Sequence, residues 1–366
     1  MGLFNEKNIA KYLVVVGILM VASYVGSKFK NYVDFTNDDE MIRKYLLNDN
    51  VLATSNVSFH FTPASPLYQH NRPKLWLHTK YEYNSRVWAS FGSRSSFDLN
   101  QPYIHLTVRS IIHKCGKDFD ICLIDDDSFR QLVPNWTTKI SEVAEPYKSH
   151  YRDLAFAELL YIYGGIVVPN SFICLQNLID TYQMGIQKNK PFLFETVNRH
   201  VNTFDAKRRS PTYCPDIHFM GTPKRNPTIR QYADFLKSRL EQMHSQSEDD
   251  LRGIHTQWWS REIENRNANI VDGVLVGIKS VKGKPILLED MMEDHPLDIC
   301  PRRTLGILIP MDELLKRNKY NWFAVMSMND VLKTHTSLAK YMQLALMENE
   351  TVSTVVEERP GPAISL

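Results

Sequence analysis

Three consecutive carboxylates, Asp125-Asp126-Asp127, close an apolar run over residues 119–124 and are the densest cluster of ionisable side chains with obvious chemical use. Adjacent carboxylates suit a hard divalent cation. They equally suit a helix start, and a helical run over residues 128–133 follows at once. Asp126 or Asp127 as its N-cap is therefore the stronger reading of this pattern. A second polar group, Pro169-Asn170-Ser171, follows the β-branched run Ile166-Val167-Val168. In open α/β sheets ligands sit in the crevice outside the carboxyl ends of the strands, so these residues are expected to border a site. His78, His105, His113, His218 and His255 are scattered, and each taken singly reads as a hydrogen-bonded core or surface residue. Trp258-Trp259 can stack on a sugar or a base, although a packed aromatic pair is the commoner reason for such a dipeptide. No nucleophile elbow, phosphate-binding glycine loop or HExxH is present.

The elements that must carry these residues centre on residues 151–176. Leu154, Leu159, Leu160 and Ile162, with Ala155 and Ala157 between them, predict a buried helix. Gly164-Gly165 supplies the positive φ of its C-terminus, and a short buried strand follows. Upstream, strands are expected over residues 74–78 and 119–124, with a helix over 102–114 between them. Downstream, strands are expected at 192–195, 216–220 and 306–309, a hairpin pairs 274–278 with 286–288, and helices cover 227–243, 311–316 and 329–346. Strands alternating with helices predict an α/β fold with a mixed, partly parallel sheet flanked by helices.

A hydrophobic content of 43% with 23% charged residues is globular composition, which excludes wholesale disorder. The net charge of +2, with no long basic run, argues against nucleic acid as a partner. The five cysteines form no CxxC pair and imply neither a zinc site nor a disulfide framework. Residues 12–26, from Tyr12 to Gly26, carry no charge and lie between Lys11 and Lys28. Flanking lysines that snorkel and interfacial tyrosines make this run, although slightly short, an expected uncleaved single-pass anchor. A cleaved signal peptide is the rival reading. The organisation expected is an anchor over 1–30, a polar stalk over 31–72, one globular domain over 73–348 and a disordered tail over 349–366.

The run RDLAFAELLYIYGG at residues 152–165 resembles the SDLLRYxLLYxYGG segment of family-32 and capsular-polysaccharide glycosyltransferases, without gaps. PKLWLH at 73–78 is similar to that family's opening strand, and FMGTPKRNP at 219–227 to its later strand and turn. The wider pattern, including residues 90–104 and 319–325, looks like uncharacterised proteins of large DNA viruses. The resemblance implies a GT-A-like fold, a nucleotide-sugar donor and a glycan or protein acceptor. It nominates Asp153 and Asp216 as catalytic residues, and His78, Arg152, Gly164, Gly165, Asn170 and Ser171 as donor- or sugar-binding residues. The family's DxD, which holds Mn²⁺ or Mg²⁺ on the donor diphosphate, falls here on Pro169 and Ser171, so its metal ligands are missing. Asp125, Asp126 and Asp127 stand as fallback carboxylates. Phe156 replaces the family's Arg. Two expectations remain open: a membrane-anchored transferase, in a host endomembrane or virion membrane if viral, or a catalytically inactive relative that binds glycans or serves a structural role.

Overall fold

The computed structural model describes residues 72–78, 101–143, 147–198, 212–242 and 248–347. All of them belong to the compact unit Phe59–Leu366. The expected anchor, the stalk as far as residue 71 and the tail from 349 lie outside the described residues. No helix among the described residues is long and apolar enough to cross a membrane.

In chain order, β1 (Lys74–His78) is followed by α1 (Tyr103–Cys115), β2 (Asp120–Ile124) and α2 (Ser128–Leu132). The long helix α3 (Tyr147–Tyr163) leads into β3 (Gly165–Val167), then β4 (Phe172–Cys174), α4 (Ile179–Gly185), β5 (Phe192–Val197) and β6 (Tyr213–Thr222). Two long helices, α5 (Pro227–Gln242) and α6 (Glu248–Glu264), precede β7 (Asn269–Val271) and α7 (Leu288–Met292). The chain ends with β8 (Gly306–Leu308), α8 (Met311–Lys316), α9 (Asn321–Val325), α10 (Met328–Lys333) and α11 (Ser337–Leu346).

Six strands form one sheet in the order β2-β1-β3-β6-β5-β7, and β4 pairs with β8 in a small second sheet. β2, β1 and β3 are parallel, β6 runs against both its neighbours, and β7 is parallel to β5. The expected mixed α/β architecture is thus present. Leu75, Trp76 and Leu77 are buried on both faces of the sheet, as a central parallel strand requires.

The α3–β3 connection explains its own sequence. The Gly164 N–H closes α3 on the Leu160 carbonyl at 2.9 Å, and Gly164 and Gly165 adopt φ of +66° and +100°. A Cβ on Gly165 would stand 2.2 Å from the Lys74 carbonyl oxygen, so β3 approaches β1 only because this residue has none. Trp76 Nε1 donates to the Gly164 carbonyl at 2.9 Å and ties the turn to β1.

Several expectations require correction. The hairpin expected to pair 274–278 with 286–288 is reduced to a tight antiparallel turn about Lys282-Gly283-Lys284, where Lys279 bridges Pro285, the Ile286 N–H donates to the Ile278 carbonyl at 2.9 Å and the Ser280 N–H to the Lys284 carbonyl at 2.7 Å. Its first strand is replaced by a 3₁₀ turn, Gly273–Val276. Asp272 caps that turn by accepting from the Val274 N–H, and Gly277 at φ +68° ends it. The helix expected over 329–346 is divided in two. Thr336 adopts an extended backbone and caps α11 through the Ala339 N–H, which breaks the helix that the apolar spacing alone would continue. Ser128 at the start of α2 is met by Asp125, not by Asp126 or Asp127: the Asp125 carboxylate accepts from both its N–H and its hydroxyl, at 2.8 and 2.6 Å. Trp258 and Trp259 pack on Tyr232, with ring centroids 5.0 and 4.9 Å away, which bears out the packed-pair reading.

Candidate functional site

The carboxyl ends of β1, β2 and β3 point the same way, and the chain leaves them in opposite directions: from β1 outward to β2, then back across to β3. The β1/β3 boundary is therefore a topological switch point, where a crevice opens between diverging loops. His78 ends β1, Asp126 follows β2, and Asn170 follows β3.

These residues are joined. Arg152, from the first half of α3, grips Asp126 bidentately, with Nε and Nη2 each 2.7 Å from a carboxylate oxygen. His78 Nε2 stands 3.1 Å from the same carboxylate. Asn170 Nδ2 donates to the His78 carbonyl at 3.1 Å and so links the loop after β3 to the end of β1. Burial raises the Asp126 carboxyl, but hydrogen bonds from Arg152 and His78 outweigh it and hold the group well below the usual carboxylate range. Phe156 packs edge-on against His78 and Phe129, at centroid distances of 5.5 and 5.2 Å. An aromatic wall therefore stands where the resembled family carries an Arg.

Asp153 faces elsewhere. Successive helical residues are turned by about 100°, so neighbours on α3 serve different surroundings. Asp153 Oδ2 lies 3.4 Å from His255 Nδ1 on α6, and Oδ1 lies 3.7 Å from His218 Nδ1 on β6. Asp216 accepts from the His218 N–H at 2.9 Å, which links both nominated catalytic carboxylates through one residue. Because Val167 at the end of β3 pairs with Met220, the first half of β6, with Asp216 and His218, runs on past the carboxyl end of β3.

The remaining nominated residues are occupied structurally. Ser171 Oγ is buried and donates to the Ile309 carbonyl. Gly164 and Gly165 serve the turn and the close approach to β1. Asp125 serves the start of α2, and Asp127 is exposed. A DxD-type cation on a diphosphate does not fit this strand end: Pro169 offers no ligand, Ser171 is turned to Ile309, and Asp126 is held by Arg152. Among the described residues, the one group of His, Cys, Asp and Glu close enough to share a metal ion is His150, Asp153 and His255. Sequence reasoning missed His150, although its position three residues before Asp153 on one helix puts both on one face. His255 was legible only as an isolated histidine.

No protein-family model matches the chain, and no curated protein matches it. Among solved structures, the chain is similar to galactosyltransferase LgtC in complex with donor and acceptor sugar analogs, at 8% identity and a TM-score of 0.35, over 74% of this chain and 95% of that one. An active-site mutant of LgtC aligns at 8% identity and a TM-score of 0.28, over 55% of this chain and 74% of that one.

Proposed function

We propose that this protein is a glycosyltransferase-like enzyme with a GT-A-like domain that takes its nucleotide-sugar at the carboxyl edge of β1 and β3, without a DxD-bound cation. The observation that carries the reading is the Asn170–His78–Asp126–Arg152 chain of hydrogen bonds across the β1/β3 switch point. It fixes the Asn170 amide and the His78 imidazole, beside a carboxylate whose charge Arg152 balances, at the edge where such sheets bind ligands, and amide and imidazole groups hydrogen-bond sugar hydroxyls. The resemblance of residues 152–165 to the family-32 segment supports the donor class.

A thermal-shift panel of UDP-, GDP- and CMP-sugars on the full chain, with and without Mn²⁺, tests it. One donor should raise Tm by the same increment in both conditions, and Asn170→Ala should reduce that increment. No stabilisation by any donor would overturn the reading.

A second reading, a sugar-binding relative without transfer activity, is favoured by Phe156 against His78. It predicts donor binding with no release of nucleoside diphosphate over a panel of glycan acceptors. On the sequence alone, residues 12–26 would hold either protein to a membrane. The full chain should then stay with the pellet on alkaline carbonate extraction, and release into the supernatant would exclude the anchor.

A further inference from the structure

His150 and Asp153 lie three residues apart on α3, so their side chains share one face of the helix. That face looks towards α6, which contributes His255, and towards the overhanging half of β6, which contributes His218. One ligand-type atom from each of His150, Asp153 and His255 falls within 4.8 Å of the other two, and all three residues are buried.

The spacing is informative. The Asp153–His255 and Asp153–His218 separations are 3.4 and 3.7 Å. In a tetrahedral site with bonds of about 2.0–2.1 Å, ligand atoms stand about 3.3 Å apart and two imidazole centres about 5 Å apart. The rings of His150 and His255 have centroids 5.4 Å apart and are inclined at 70°. The 3.4 Å Asp153–His255 spacing and the ring separation both lie close to those of two ligands around a common centre.

We propose that His150, Asp153 and His255 bind a divalent first-row transition metal ion of the zinc class, the three protein ligands of a site whose fourth position is open to water. Imidazole nitrogens with a single carboxylate suit zinc, cobalt or nickel, and disfavour magnesium and calcium, which take oxygen ligands. Two neutral imidazoles and one carboxylate leave a net single positive charge. His218, 47% exposed and 3.7 Å from the other Asp153 oxygen, marks the solvent side of the cluster, and the Tyr232 hydroxyl, 3.4 Å from His255 Nδ1, lies on the buried side. The site binds α3 and α6 together whether or not the protein transfers sugar.

The test uses the untagged full chain, stripped with a chelator, dialysed and titrated with Co²⁺ alone. Binding should be stoichiometric, produce visible d–d absorption of tetrahedral strength, raise Tm and be reversed by Zn²⁺. His150→Gln and His255→Gln should abolish the spectrum, while His113→Gln, an exposed histidine on α1, should leave it unchanged. His218→Gln changes a half-exposed side chain that the core does not depend on. Because His218 pairs with the Asp153 carboxylate and not with the ion, this change should weaken Co²⁺ binding by about tenfold and keep the d–d bands. A wild-type chain that takes up only substoichiometric Co²⁺ without d–d bands would overturn the proposal, as would a spectrum unchanged in His150→Gln and His255→Gln. Because the titration contains no nucleotide-sugar, its failure is separate from failure of the donor panel.

Discussion

Arg152 and Asp153 are adjacent in sequence and belong to different chemistry. The Arg152–Asp126 pair is largely removed from water, with side-chain exposures of 8% and 17%. Removing one partner of such a pair strands a charge. Arg152→Ala should therefore cost about 2–3 kcal/mol in urea denaturation, well beyond the loss expected for an exposed ion pair. The acid limb carries a second expectation. The folded Asp126 carboxyl is held below its unfolded value of about 3.9, so its stabilisation is complete above that pH and is lost as pH falls towards the folded value. In Asp126→Asn, stability should be lower near neutrality and should fall less steeply below about pH 4. Equal slopes in wild type and variant would show that Asp126 does not drive the acid response.

At the scale of elements, the α3–Gly-Gly–β3 unit decides where everything else lies. Gly165 is under two constraints, a φ of +100° and a Lys74 carbonyl 2.2 Å from where a Cβ would sit. Gly165→Ala should destabilise the chain by at least about 2 kcal/mol through backbone strain and the separation of β3 from β1. Donor-induced stabilisation should fall with it, because Asn170 reaches the His78 carbonyl only while β1 and β3 stay paired. A Gly165→Ala chain with wild-type urea midpoint would contradict this account of the turn. The unit was readable from sequence because a helix C-terminus, a Gly-Gly turn and a β-branched run are local signals. The break between α10 and α11 was not, because the apolar spacing runs through it and only the Thr336 cap interrupts it.

Over the whole molecule, burial sorts the cysteines. Cys115, Cys122, Cys174 and Cys214 are buried and Cys300 is partly exposed, all as free thiols. Burial pushes the thiols of Cys122 and Cys214 up to about 12. A buried, protonated thiol is a poor nucleophile. Alkylation of the native chain should therefore modify Cys300 first, and the other four only after denaturation, as read by intact-mass spectrometry. Early modification of Cys122 or Cys214 would show that the sheet opens well below its unfolding transition.

Composition and local pattern in the sequence were sufficient for a mixed α/β domain, for strands ending at His78 and Ile124, and for the helix–Gly-Gly–strand unit at 152–168. These are short-range properties, set by periodicity, turn residues and propensity within a few residues of chain. Neighbours remote in sequence were not legible. That Asp126 belongs to Arg152, that Ser171 turns to Ile309, and that His150 and Asp153 meet His255 and His218 are decided by packing between elements up to 138 residues apart. No local pattern encodes which face of α3 meets β2 and which meets α6. The strand order and the helix crossings set that, and with them they assign one residue of a consecutive pair to the sheet edge and the other to a histidine cluster.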